Sequence, residues 1–268
     1  MSTVIYYFSG TGNSIYLAKE LQKRIPEVIL RPVLSALKHN DLEPKEEAVG
    51  VIFPIHAHTI PKIIKEFLQK INLDNVSYFF AFSNRECADK VFKDINKLLK
   101  KRKYKLNASF EVMMPVNYIP VFAVPTEEEI SKLENEMQSK LDVIQEYIVE
   151  RTPYHVKTGP VIFILANSLL RFSTFLFHKT KYFGLQKSFY ADDKCKSCGT
   201  CEKICLSEII EIVNGKPKWN MAVECIYCFA CISYCPQTAI QAKGKRTTKK
   251  GRYHHPLITA NEIAKQKV

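Results

Sequence analysis

A chain of 268 residues with 46% hydrophobic and 25% charged residues has ordinary globular composition and room for one medium domain plus a small one, which sets aside a disulfide-stapled miniprotein. Eight of the nine cysteines fall in the last third at short regular spacings, the pattern of metal binding in a reducing compartment rather than of disulfides. The net charge of +12 is uneven: residues 191–242 hold five Lys/Arg against six Asp/Glu, whereas 243–268 hold eight against one. That basic tail suits an acidic protein, an anionic membrane surface or nucleic acid, or is simply a solvated end. Met1–Phe8 lacks the basic-then-apolar pattern of a secretory leader, so the expected location is cytoplasmic.

Thr3–Phe8, β-branched and aromatic, predicts a strand; after it Ile15, Leu17, Ala18, Leu21 and Ile25 recur at mostly helical intervals. Runs at Val28–Pro32, Ala48–Phe53, Val76–Phe82 and Ala108–Met114 predict four more strands, with helical patterns at Pro61–Ile71 and Ala88–Lys101. Thr126 and Glu129 form a capping box that opens a last helix, with Ile130, Leu133, Met137, Leu141, Ile144 and Ile148 on one face. Such alternation predicts an α/β fold, a five-stranded parallel sheet covered on both faces and ordered as in flavodoxin-like domains.

The turn between the first strand and helix, Ser9-Gly10-Thr11-Gly12-Asn13-Ser14, lets successive N–H groups and a helix start converge, with hydroxyl and amide side chains beside them. It has no lysine of a nucleoside-triphosphate loop and is too short for a dinucleotide fingerprint, so a phosphomonoester suits it better; a plain tight turn is the competing reading. Phe8 to Ser14 resembles the phosphate loop of flavodoxins, which implies FMN. The resemblance further implies that the isoalloxazine ring lies at the loops after the third and fourth strands, Pro54, Ile55, His56 and Ala57 in one and Ser83, Asn84 and Arg85 in the other. His56 and His58 stand where that family usually has a Trp or Tyr. Cys87, the cysteine outside the metal motifs, reads as a small buried hydrophobe.

Cys195, Cys198, Cys201 and Cys205 follow C-x2-C-x2-C-x3-C, and Cys225, Cys228, Cys231 and Cys235 repeat it thirty positions later, closed by Pro236. Structural zinc favours two separated C-x2-C pairs, so the tandem points to 4Fe-4S clusters. Residues 189–242 resemble bacterial two-cluster ferredoxins, with Leu206 where the first motif usually has proline. That resemblance implies that the fourth ligand of each cluster comes from the other run: Cys195, Cys198, Cys201 and Cys235 for one, Cys225, Cys228, Cys231 and Cys205 for the other. Small residues Gly199, Thr200 and Ala230 admit N–H groups to the cluster sulfurs, and Ile204, Ile210, Ile226, Phe229, Ile232 and Ile240 keep water away or simply form a small core.

The apolar run Val161–Phe177 is interrupted by Asn167, Ser168 and Arg171 and is too short for a span; it predicts a helix packed between domains. Arg252-Tyr253-His254-His255-Pro256 after the cysteines completes a resemblance to flavodoxin–ferredoxin fusion proteins of the EFR type. The domains expected are 1–152 (flavodoxin-like, FMN-binding), 153–188 (apolar linker helix), 189–242 (two-cluster α+β ferredoxin) and 243–268 (basic tail). This implies an electron relay between two 4Fe-4S clusters and FMN in anaerobic metabolism, with protein redox partners, a low-potential donor and an acceptor, and without nucleic acid or a transmembrane span. The alternative is an FMN-dependent reductase of a small organic substrate, with Tyr118 either a wall of its pocket or simply an exposed loop residue.

Overall fold

The computed structural model describes residues 2–56, 59–85, 89–119, 122–156, 184–244 and 247–268. The N-terminal half runs β1 (Thr3–Tyr7), α1 (Asn13–Arg24), β2 (Val28–Pro32), α2 (Val33–His39), β3 (Ala48–Phe53), α3 (Lys62–Lys70), β4 (Tyr78–Ser83), α4 (Asp89–Lys101), β5 (Ala108–Glu111), α5 (Glu127–Val149) and β6 (Tyr154–His155). The strands lie in the order β2-β1-β3-β4-β5-β6 and every pairing is parallel. Its first five strands have the flavodoxin-like doubly wound order. β3 and β4 are buried at every position, as expected of central strands covered by helices on both faces.

Two elements go beyond the expected set. β6 is a two-residue edge strand pairing Tyr154 and His155 with Ala108 and Ser109, too short to carry an alternation signal, and it makes the sheet six-stranded rather than five-stranded. α2 has seven residues starting directly after Pro32 and buries only Val33 and Ala36, so its periodicity is equally faint. The capping box at Thr126 and Glu129 forms in both directions, and Met137, Leu141 and Ile148 carry the buried face of α5.

The second half is small. β7 (Phe189–Ala191) pairs antiparallel with β10 (Ile240–Ala242), and β8 (Ile210–Val213) forms a hairpin with β9 (Lys216–Trp219). Asn214 and Gly215, both at positive φ, make the hairpin's tight turn. Its core gathers Leu185, Phe189, Ile209, Ile210, Tyr227, Phe229, Ile232 and Ile240. Ile204, Leu206, Ala230 and Tyr234 belong instead to the large apolar core of the sheet domain, so the two halves share buried surface. Leu206, in the place of the usual proline, is 4% exposed within that shared core. The closing residues pack back as well: Ile258, Ile263 and Gln266 are buried, with a short helix at Ala260–Ala264 held by a Thr259–Glu262 capping box. The apolar run 161–177 lies outside the described residues, among which no helix is long and apolar enough to cross a membrane.

Candidate functional site

The turn after β1 is buried: Ser9, Thr11, Asn13 and Ser14 are each at most 3% exposed. Gly12, at φ 97°, takes the left-handed conformation that lets α1 start at Asn13. α1 has no side-chain cap and no acidic residue in its first turn, so a buried, positively polarised helix end is left for an anion. Two further loops converge there. Asn84 Nδ2 donates to Ser14 Oγ at 3.2 Å, Asn13 Nδ2 donates to the Pro115 carbonyl at 3.1 Å, and Asn117 Nδ2 donates to Thr11 Oγ1. These loops follow β1, β4 and β5 at the carboxyl ends of the strands, where doubly wound sheets bind ligands. The uncapped helix start with the Thr11 and Ser14 hydroxyls fits a phosphomonoester such as that of FMN.

The structure places the two expected ring loops beside this turn. Pro54 and Ile55 are half-buried, His56 exchanges two backbone hydrogen bonds with Thr59, and the His56 ring stands edge-on to Phe8 with centroids 6.0 Å apart. Ala57, like His58 and Cys87, lies outside the described residues. Ser83 Oγ accepts the Arg85 N–H and donates to the Arg85 carbonyl, a local turn that presents Asn84 toward Ser14. Tyr118 is half-buried, and its ring packs edge-on against Phe229 of the second half at 5.1 Å.

Each group of four cysteines that the ferredoxin resemblance implies lines its own space. Cys195, Cys198, Cys201 and Cys235 line one small cavity together with Gly199, Thr200 and Ile240. Cys205, Cys225, Cys228 and Cys231 line the other, walled by Phe189, Trp219, Tyr227 and Phe229. Thus the fourth cysteine of each run stands with the other run, because the two short helices Thr200–Lys203 and Ala230–Ser233 pack on one another and cross the chain over. Among the described residues no group of three or more His, Cys, Asp or Glu is placed to hold a single metal ion. Burial pushes the Cys201 thiol up to about 11 and the Cys228 thiol up to about 12, with neighbouring cysteines adding to the rise. Thiolates at these positions therefore need a strongly cationic metal core beside them. Cys198, exposed and bonded to the Thr200 hydroxyl, is lowered instead.

The candidate phosphate turn and the second cysteine run meet directly. A methyl group built on Gly10 would lie 2.0 Å from the Cys228 carbonyl oxygen, so only glycine permits this backbone approach. The segment after the cysteines secures the junction. Arg252 reaches back to the Ile240 carbonyl and Gln241 Oε1, while Tyr253 donates its hydroxyl to Asn13 Oδ1 at 3.0 Å and His255 donates its backbone N–H to the Thr11 carbonyl at 2.8 Å. The His255 ring stacks on Tyr16 at 3.7 Å and the His254 ring on Tyr234 at 4.1 Å. Gln266 accepts the Ser9 N–H and donates to the Ser9 carbonyl. Sequence reasoning marks Arg252 to Pro256 as a motif without a location and misses Asn117 and Gln266 altogether, since their partners lie more than 100 residues away.

Residues 194–240 match the 4Fe-4S dicluster domain family. A ferredoxin from Methanothermococcus thermolithotrophicus is 36% identical over 53 residues, covering 19% of this chain and 88% of its own. Among solved structures, the rubredoxin oxygen:oxidoreductase of the anaerobe Desulfovibrio gigas aligns over 53% of this chain and 36% of its own, at 18% identity and a TM-score of 0.32. A short-chain flavodoxin associated with a bacterial microcompartment aligns over 54% of this chain and 97% of its own, at 15% identity and a TM-score of 0.33. At these scores the fold assignment of the first half rests on the strand order described above, not on the two likenesses. The chain belongs to the ferredoxin family through its 4Fe-4S segment, which it carries behind a flavodoxin-like α/β domain in one fused polypeptide.

Proposed function

We propose that this protein is an electron-transfer iron–sulfur flavoprotein of anaerobic metabolism that relays electrons between two 4Fe-4S clusters and FMN. In this reading Cys195, Cys198, Cys201 and Cys235 hold one cluster, and Cys205, Cys225, Cys228 and Cys231 the other. Residues Ser9 to Ser14 bind the FMN phosphate, and the loops at 54–57 and 83–85 flank the ring. When bound, FMN stores two electrons and releases them one at a time, which matches it to one-electron clusters. The observation that carries the reading is the backbone contact of Gly10 with Cys228, which sets the candidate phosphate turn against a candidate ligand of the second cluster. The chain neighbours of this contact are shielded from water: Phe8, Ala230 and Tyr234 are buried, and Ile226 packs against the same core. Exclusion of water lowers the local dielectric, and N–H groups approaching the sulfurs tune the potential.

The test is cofactor quantification on anaerobically purified full-length protein. About one FMN, eight irons and eight acid-labile sulfides per chain are expected, with flavin and cluster absorbance bleaching together in a reductive titration. Full clusters without flavin, even after reconstitution with FMN, would overturn the relay and leave a ferredoxin fused to an empty binding module.

A further inference from the structure

A second concentration of positive charge lies far from the C-terminal tail in sequence. Residues 90–105, most of α4 and the turn after it, hold eight Lys/Arg against one Asp. Together with α3 this helix forms one side of a cleft of about 860 Å³ whose other side is Glu224 to Tyr227, including Cys225, and His56 also contributes to the wall. Lys65, Lys97 and Lys101 face this cleft and are exposed, while Lys62 ties the two sides together through Glu224 at 2.5 Å. Just before the lining residue Glu224 in the chain, Met221 and Val223 are exposed, at 52% and 44%.

These lysines are mobile point charges spread around an open mouth. They do not converge on one spot as a small phosphate site requires; they attract and orient a large anionic surface. The exposed Met221 and Val223 next in the chain offer the short-range contact such a surface needs once it has been steered in. We infer that this cleft is the docking surface for a small acidic electron-transfer protein, which exchanges electrons with the chain at the Cys225 quartet. The inference rests on the relay reading and adds to it the chemistry of the partner and the place where it docks. One electron would leave the reduced carrier, which is oxidised by one, and be taken up by the 4Fe-4S cluster that the Cys225 quartet would hold, which is reduced by one, with no proton or bond involved.

The test compares wild-type holoprotein with the Lys65→Glu/Lys97→Glu/Lys101→Glu variant, and with a milder Lys97→Gln/Lys101→Gln variant in case the first folds poorly. The probe is a small acidic two-cluster ferredoxin. Its oxidised form is titrated calorimetrically, and its reduced form is mixed with holoprotein in an anaerobic stopped flow. Both are done at about 0.01 M and about 0.15 M ionic strength, between which the Debye length falls from about 30 to about 8 Å. The expected result is binding at least about tenfold weaker in the triple variant at low salt, a parallel fall in the association rate, and a wild-type affinity that weakens with salt. Iron content and reduction by dithionite should stay at the wild-type level. Unchanged affinity and rate, with clusters still reducible by dithionite, would overturn the inference alone and shift attention to the exposed Cys198 end. A wild-type protein that holds no reducible clusters would remove the relay reading and this inference with it.

Discussion

Replacing Gly10 by alanine tests the junction at its tightest point. The new methyl carbon would stand 2.0 Å from the Cys228 carbonyl oxygen and 2.8 Å from both its carbonyl carbon and its Cβ. A relaxed carbon–oxygen contact is about 3.3 Å or more, so the two loops must part by roughly 1.3 Å. Gly10 is not among the glycines at positive φ, hence space and not backbone conformation demands the residue. Neither loop yields easily: Ser9 is tied to Gln266 and Thr11 to His255, and Ala230 beside Cys228 is fully buried. Forcing a methyl group into such packing costs about 1–3 kcal/mol. At about 2–4 °C per kcal/mol for a chain of this size, the melting temperature should fall by about 2–12 °C. Thermal unfolding of the anaerobic holoprotein by circular dichroism, with iron and FMN quantified in parallel, reads both effects. The Cys195 quartet should keep its iron, while FMN affinity and the iron at the Cys228 quartet fall. Gly244→Ala is the control, because nothing lies within 4 Å of its Cβ position and it reports only the cost of its positive φ. Wild-type melting, iron and FMN in Gly10→Ala would refute the reasoning.

The crossing of the cysteine runs predicts paired phenotypes: Cys205→Ala should match Cys228→Ala in the electron paramagnetic resonance signal it loses, and Cys235→Ala should match Cys195→Ala, each with about four irons remaining. Grouping by run instead, Cys205 with Cys195, would break the assignment. Gln266→Ala leaves the buried Ser9 N–H and carbonyl without their partner, at a cost of about 1–3 kcal/mol per unsatisfied group, and should weaken FMN binding measured by fluorescence quenching. Burial lowers His255 to about 4, against the partial support of Glu134 at 3.9 Å. The unfolded chain therefore binds a proton near pH 6.5 that the native state refuses down to about 4, so this contribution is complete above 6.5 and is lost as pH falls toward 4. It is worth on the order of 3 kcal/mol, and His255→Gln should flatten the pH dependence of urea midpoints between those values.

Local chemistry was sufficient for much of this protein. The alternation of apolar runs gave the strands and most helices of the sheet domain, because period and turn residues act over a few positions. The cysteine spacing marked both metal motifs for the same reason, since three-residue steps are short-range geometry. Elements of two and seven residues, β6 and α2, carry too few turns or alternations to stand out. What the tertiary structure decided is how distant pieces meet. Leu206 looks like a flaw in a ferredoxin motif until it is seen buried in the core shared with the sheet domain. Residues 243–268 look like a basic tail until Tyr253, His255 and Gln266 are found closing over the turn at Ser9 to Asn13. The lysines of α4 gain a meaning only when folding sets them across a cleft from Cys225. Such contacts join residues up to 257 positions apart, and no local pattern encodes them, because their stability comes from surface buried between elements that each form on their own terms.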